Sequence, residues 1–227
     1  MNEVEIEDKK IRFLRSRLLR WFGVNGRNFP WRIPNLSSYE YVISEILLQR
    51  TRAETIASFY LPFLQRFPSW YSISSTPEKE VQLALAPIGL FRQRGTRLKR
   101  LANEMVRRNG LLPDDRDELD SIPFMGQYIA NAVELLIYNK RRPLLDVNMA
   151  RVLERFFKPR QLADIRYDPF LQRLSIKVVN VKEPRLLNWA ILDFAALICK
   201  ARNPLCDQCP ISKHCNYYKS FVAPTSR

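Results

Sequence analysis

Cys199-Lys-Ala-Arg-Asn-Pro-Leu-Cys206-Asp-Gln-Cys209-Pro-Ile-Ser-Lys-His-Cys215 holds all four cysteines of the chain. The spacing C-x6-C-x2-C-x5-C lets four thiolates close around one centre, either a tetrahedral zinc or a cubane iron–sulfur cluster. Zinc sites generally pair two C-x2-C knuckles, and only one is present. A secreted disulfide protein would spread its cysteines along the chain; four in one short segment read as a ligand cluster in a reducing compartment. A nearly apolar run, Trp189 to Ile198, leads into the cluster and is broken only by Asp193.

Outward from that segment, the 227 residues suit one medium domain or two intertwined small ones, long enough to fold on a hydrophobic core. With 46% hydrophobic residues the chain is neither disordered nor fibrous. Thirty-seven Lys and Arg against 23 Asp and Glu leave a net charge of +14, which predicts an anionic partner, most simply a nucleic acid. The basic residues cluster: Arg92, Arg94, Arg97, Lys99, Arg100, Arg107 and Arg108; then Lys140 to Arg142, Arg151, Arg155, Lys158 and Arg160; then Lys200, Arg202, Lys213 and Lys219. Together they read as a phosphate-tracking surface. The start is acidic where an export signal needs basic then apolar residues, and no apolar run approaches the roughly 20 residues of a membrane span. The expected compartment is therefore the cytoplasm of a prokaryote, at the nucleoid.

The pattern is helical throughout. Val42, Ile43, Ile46 and Leu47 form one apolar stripe, Ile129, Ala132, Val133, Leu136 and Ile137 a second, and Met149, Val152, Leu153 and Phe156 a third. Prolines fall mainly between such stretches, and no long alternating β pattern stands out.

Three further segments carry a resemblance. Leu119-Asp-Ser-Ile-Pro123-Phe124-Met-Gly126-Gln127-Tyr128 resembles the second half of a helix–hairpin–helix, whose backbone N–H groups hold a DNA phosphate. Leu144-Leu-Asp146-Val-Asn148 follows twenty residues after Gly126, and Phe29-Pro-Trp-Arg with Tyr39 to Thr51 precedes the hairpin. With the cysteine spacing and the helix Asn188 to Ile198, these are similar to the helix–hairpin–helix DNA glycosylase superfamily of endonuclease III and MutY, and within it to the G:T-mismatch thymine/uracil glycosylases. The resemblance runs from about residue 10 to 219. Phe124 departs from it, standing where the Leu-Pro-Gly-Val-Gly pattern has its first glycine; a Cβ there costs strain if the turn needs positive φ.

The resemblance implies an all-α fold, with a six-helix barrel domain at 31–139 and an iron–sulfur domain built from 1–30 and 140–227. It implies a [4Fe-4S] cluster on Cys199, Cys206, Cys209 and Cys215 that serves folding and docking. DNA would lie across the cleft between the domains, with Tyr128 and Asp146 at its floor. Asp146 would be the catalytic carboxylate, stabilising oxocarbenium character on the sugar while water attacks. Glu45 would position water or bond the base edge. Gln49 and Leu90 would wedge into the stack as a base flips, and Arg50, Gly126, Gln127, Asn148, Lys200 and Arg202 would contact DNA.

Tyr128 stands where endonuclease III-like enzymes carry a Schiff-base lysine. A phenol forms no imine, so the expectation is a monofunctional glycosylase, a monomer acting on double-stranded DNA with thymine or uracil opposite guanine. The first alternative is a MutY-like adenine glycosylase, which Glu45 would suit, although such proteins add a C-terminal domain that reads oxidised guanine. A second is a non-catalytic helix–hairpin–helix DNA-binding module, against which Asp146 and Glu45 argue. The bifunctional type is disfavoured by Tyr128.

Overall fold

Ser37 shows how local chemistry starts a helix here. Its hydroxyl accepts from the Glu40 amide at 3.2 Å while the Glu40 carboxylate accepts from the Ser37 amide at 2.7 Å, a reciprocal cap that satisfies two otherwise orphaned donors. The same logic recurs at Asp115, Asp146 and Asp168, each capping the helix that follows it.

The computed structural model describes residues 3–222, with side chains from Glu7 onward. Eleven α-helices occur among the described residues: α1 (Glu3–Asn25), α2 (Ser38–Leu48), α3 (Ala53–Arg66), α4 (Trp70–Ser75), α5 (Glu78–Ala84), α6 (Phe91–Arg107), α7 (Arg116–Ser121), α8 (Gln127–Leu136), α9 (Val147–Phe156), α10 (Pro169–Val179) and α11 (Pro184–Leu197). There is no strand among them. The chain is all-α, as expected, and divides into two compact units: Asn28–Tyr138, and the described residues up to Arg27 together with those from Asn139 on.

The first unit, α2 to α8, is the helical barrel. Its core gathers Trp31, Ile43, Leu47, Tyr60, Leu98, Leu119, Ile129 and Val133, so the stripes read on α2 and α8 both face inward. Thr76 is held extended before Pro77, which splits the helical run 70–84 into α4 and α5. Where α5 meets α6, a Cβ on Gly95 would stand 2.5 Å from Gln82 Cγ, so the two helices approach too closely for any larger residue.

The second unit joins α1 to α9, α10 and α11. Leu14 and Leu18 of α1 are fully buried with Met149, Leu153, Phe156, Leu174 and Phe194. Burying one side chain the size of Phe194 contributes about 2–3 kcal/mol. Asp193, also fully buried, is neutralised in place: the Arg27 amide donates to Oδ2 at 2.8 Å, and Arg27 Nε and Nη2 donate to Oδ1 at 2.9 and 2.8 Å. These bonds, two from the guanidinium to one oxygen and one from the amide to the other, tie the segment after α1 to α11. No helix among the described residues is long and apolar enough to cross a membrane.

Candidate functional site

In the barrel unit, α2 packs against α8 and brings two of the expected site residues together. Glu45 is 4% exposed, which rules out a solvated helix face, and accepts a hydrogen bond from the Tyr128 hydroxyl to Oε2 at 2.9 Å. A buried carboxyl needs such a partner because desolvation without one is costly. Tyr41, Val42, Ile129 and Val133 line a cavity with Glu45, so this acid is set among apolar walls.

The hairpin itself runs from α7 into α8. Phe124 has φ +65°, so the turn does require the left-handed region at the position where the sequence lacks glycine. The strain is about 1–2 kcal/mol for a residue with a Cβ. The Arg97 guanidinium lies 5.5 Å from the Phe124 ring centroid and covers it. Gly126 caps α8, with Gln127 and Tyr128 in its first turn. The two hairpin helices are locked by Arg116 of α7, whose Nη1 donates to Glu134 Oε2 at 2.9 Å and Asn131 Oδ1 at 2.8 Å on α8. Glu134 is fully buried, and nothing in its sequence context singled it out.

On the same unit Gln49 and Arg50 are exposed on the turn after α2, and Leu90 is 51% exposed ahead of α6. Leu90 is therefore not a core residue. Arg94 and Lys99, read from sequence among the phosphate contacts, turn inward instead. Arg94 is buried, and Lys99 donates to the carbonyls of Ile73, Ser74 and Thr76. Both satisfy main-chain acceptors in other elements, a role that charge alone does not reveal.

In the second unit Asp146 caps α9. Its Oδ1 accepts from the amides of Asn148 and Met149 at 2.9 and 2.8 Å, and its Oδ2 from Asn148 Nδ2 at 2.6 Å. Burial pushes the Asp146 carboxyl up from its ordinary range; these hydrogen bonds and the Arg151 charge pull the other way without reversing the shift. Asn188, fully buried on α11, supports the approach to Asp146: Oδ1 accepts from the Leu144 amide at 2.7 Å, and Nδ2 donates to the Arg142 carbonyl at 3.1 Å. Arg151 Nη2 donates to Asn148 Oδ1 at 3.1 Å, and Nε to the Cys199 carbonyl at 2.8 Å, so Asn148 is held from both sides.

The four cysteines surround one cavity walled by Val152, Phe156, Phe194, Ile198 and Ile211. Among the described residues no group of three or more His, Cys, Asp and Glu side chains is arranged to hold a single ion; the thiols stand around a wider space. Burial, with added repulsion between neighbouring thiolates, raises Cys206 and Cys215 and pushes Cys209 up to about 12. Thiols so raised can ionise together only around concentrated positive charge, which iron supplies. The residues fit a cubane cluster. Arg155 adds to that charge: Nη1 lies 3.5 Å from Cys199 Sγ and 2.7 Å from the Lys200 carbonyl, and Nη2 donates to the Ala201 carbonyl at 3.1 Å. This pins the loop that holds Lys200 and Arg202 out in solvent. His214 is half-buried with its ring edge-on to Phe13 at 4.5 Å.

A helical barrel with a hairpin, a capped carboxylate and an iron–sulfur loop defines a class of DNA-processing protein, and comparison with known proteins gives the family. The profile of the HhH-GPD superfamily base excision DNA repair proteins matches residues 43–167, and that of the iron-sulfur binding domain of endonuclease III matches 199–215. A thymine-DNA glycosylase of Aeropyrum pernix is 33% identical over 95% of this chain and 98% of its own length. A thymine/uracil-DNA glycosylase of Pyrobaculum aerophilum is 34% identical over 90% of this chain and 91% of its own. The solved structure of a thermostable thymine-DNA glycosylase superposes with a TM-score of 0.85 at 32% identity, covering 93% of this chain and 98% of that one. The chain belongs to the HhH-GPD superfamily of base excision DNA repair proteins, and its cofactor is a [4Fe-4S] cluster.

Proposed function

We propose that this DNA glycosylase releases thymine or uracil mispaired with guanine, that it lacks strand-cleaving lyase activity, and that it acts as a monomer on duplex DNA in a prokaryotic cytoplasm. The observation that carries the reading is Tyr128, which donates to Glu45 at 2.9 Å from the place where a lyase would need an amine. A phenol engaged with a buried carboxylate offers no nucleophile to C1′ of the sugar, so water must be the attacking group. The thymine- and uracil-releasing relatives support the choice of base.

The chemistry assigned to this chain is hydrolysis. Extrusion of the mispaired base costs a few kcal/mol, least at a mismatch. As the N-glycosidic bond breaks, its electron pair leaves with the base and positive charge builds on the sugar. Asp146, ionised, stabilises that charge; water then bonds to C1′ and gives up a proton, and the departing base anion takes up a proton, which leaves free base and an abasic sugar. The hydrogen bonds from two amides and Asn148 fix the carboxylate before the substrate arrives, so little reorganisation is needed. Glu45 and Tyr128 hold the base edge or the water. When bound, the cluster would hold the loop that carries Lys200 and Arg202 in shape; the positive charge is that of these two side chains, and the cluster supplies no reactive group.

Duplexes carrying G:T, G:U, A:G and A opposite oxidised guanine, incubated with the protein and then treated with alkali, decide the matter. Strand breaks at T or U only after alkali are expected. Cleavage at adenine alone would establish the adenine reading instead, and breaks without alkali would remove the monofunctional one.

A further inference from the structure

Arg94 is only 7% exposed and lies on the first turn of α6, yet its guanidinium serves another element entirely. Nη1 donates to the Leu47 carbonyl at 3.0 Å, and Nη2 to the Gln49 carbonyl at 2.8 Å and Thr51 Oγ1 at 3.0 Å. Leu47 O is among the last carbonyls of α2, which have no helical partner of their own. The turn that follows has one ordinary main-chain bond, from the Thr51 amide to Leu48 O at 3.1 Å; otherwise the Gln49 amide reaches Ile46 O only at 3.4 Å, Thr51 Oγ1 reaches Gln49 O at 3.5 Å, and Arg50 sits at φ +57°. The guanidinium adds three bonds of 2.8 to 3.0 Å to the carbonyls and hydroxyl of this turn.

The other end of the same residue fixes a second turn. The Arg94 amide donates to the Leu90 carbonyl at 2.9 Å, and Leu90 follows Gly89 with both at positive φ. Two exposed side chains, Gln49 and Leu90, thus stand on two irregular turns joined through one residue, the first by its guanidinium and the second by its main-chain amide. Irregular turns are ordinarily mobile, whereas a group that must enter a base stack acts best when it is already ordered.

We propose that Arg94 is a positioning residue that joins the Gln49–Thr51 and Gly89–Leu90 turns into one preformed wedge for base extrusion. The proposal rests on the reading that this enzyme excises a flipped base. A lysine cannot reproduce the planar fork that reaches three acceptors at once.

The test uses Arg94→Lys and, as a milder change that removes one acceptor, Thr51→Val, in the full-length holoprotein. Two duplexes are compared, with thymine opposite guanine or opposite an abasic analogue where no pairing resists extrusion, each with 2-aminopurine beside the thymine to report unstacking. Arg94→Lys is expected to slow single-turnover release from G:T by about tenfold to a hundredfold, with a matching loss of fluorescence rise, and to slow release of unpaired thymine far less. Thr51→Val should show the same pattern at smaller size. Equal losses on both duplexes, losses that merely follow thermal stability, or no loss would overturn the proposal. If the wild-type protein releases neither thymine nor uracil, the glycosylase reading fails separately, and the fluorescence rise still decides the role of Arg94.

Discussion

Asp146 caps α9 with the same carboxylate for which we propose the chemical task, and the two are separable by one atom. Asn at this position keeps an oxygen for the amides of residues 148 and 149, so the start of α9 should hold. The charge is lost. Asp146→Asn is expected to bind a mismatched duplex with near wild-type affinity and to lose about 10²–10³-fold or more in single-turnover rate. Gel shift and alkali-treated cleavage assays measure the two. The upward shift of the Asp146 carboxyl gives a pH dependence with a definite sign. The rate should fall on acidification at a pH above the ordinary aspartate value of about 3.9. A carboxyl raised in the folded state binds its proton more readily there than in the unfolded chain, so its ionisation weakens the fold and acidification removes that burden. The difference in Tm between Asp146→Asn and wild type should therefore shrink as the pH is lowered, measured by thermal melts. Asp146 was legible from its distance to the hairpin and from the resemblance. Its supports were not: Asn188 and Arg151 act on main-chain groups 44 and 48 residues away.

Between α7 and α8 the hairpin depends on a buried charge. Arg116→Ala takes from the buried Glu134 carboxylate the guanidinium that stands 2.9 Å from it, which should cost about 3–5 kcal/mol by denaturant unfolding. Replacing both, as Arg116→Met with Glu134→Leu, should recover most of that loss, because the penalty belongs to a buried charge that has lost Arg116. If both variants are equally destabilised, geometry rather than charge sets the clasp. The stripes on α2, α8 and α9 were readable because an apolar face repeats every three to four residues whatever it packs against. The Arg116–Glu134 clasp was not, since an acid on an otherwise buried helix face and a basic residue on another helix announce no pairing in one sequence. The missing hairpin glycine was read correctly as a strained position, because the φ a turn demands is a local property and Phe124 could be judged against it directly.

At the scale of the whole molecule, a net charge of +14 overstates the surface that faces phosphate. Arg94, Lys99, Arg151 and Arg155 all donate to backbone carbonyls inside the fold. Lys200→Ala and Arg202→Ala should each lower the slope of log affinity against log salt by about 0.9, the contribution of one phosphate contact. Arg155→Ala should reduce cluster retention, seen as loss of visible absorbance, with far less effect on that slope on the protein that keeps its iron. Composition identified the partner, and only the fold could sort which charges reach it.

The pairing of α1 with α10 and α11 also has a consequence in the making of the protein. Ile11, Leu14 and Leu18 leave the ribosome before any of their helical partners, and about 180 residues must follow Leu18 before α10 and α11 are complete. At roughly 5–20 residues per second that delay is about nine to thirty-six seconds. During it, an apolar helix face is open to chaperones or to neighbouring nascent chains, and iron has no finished cage to enter. Synthesis rate and iron supply, rather than the barrel that emerges in between, should set the yield of active protein.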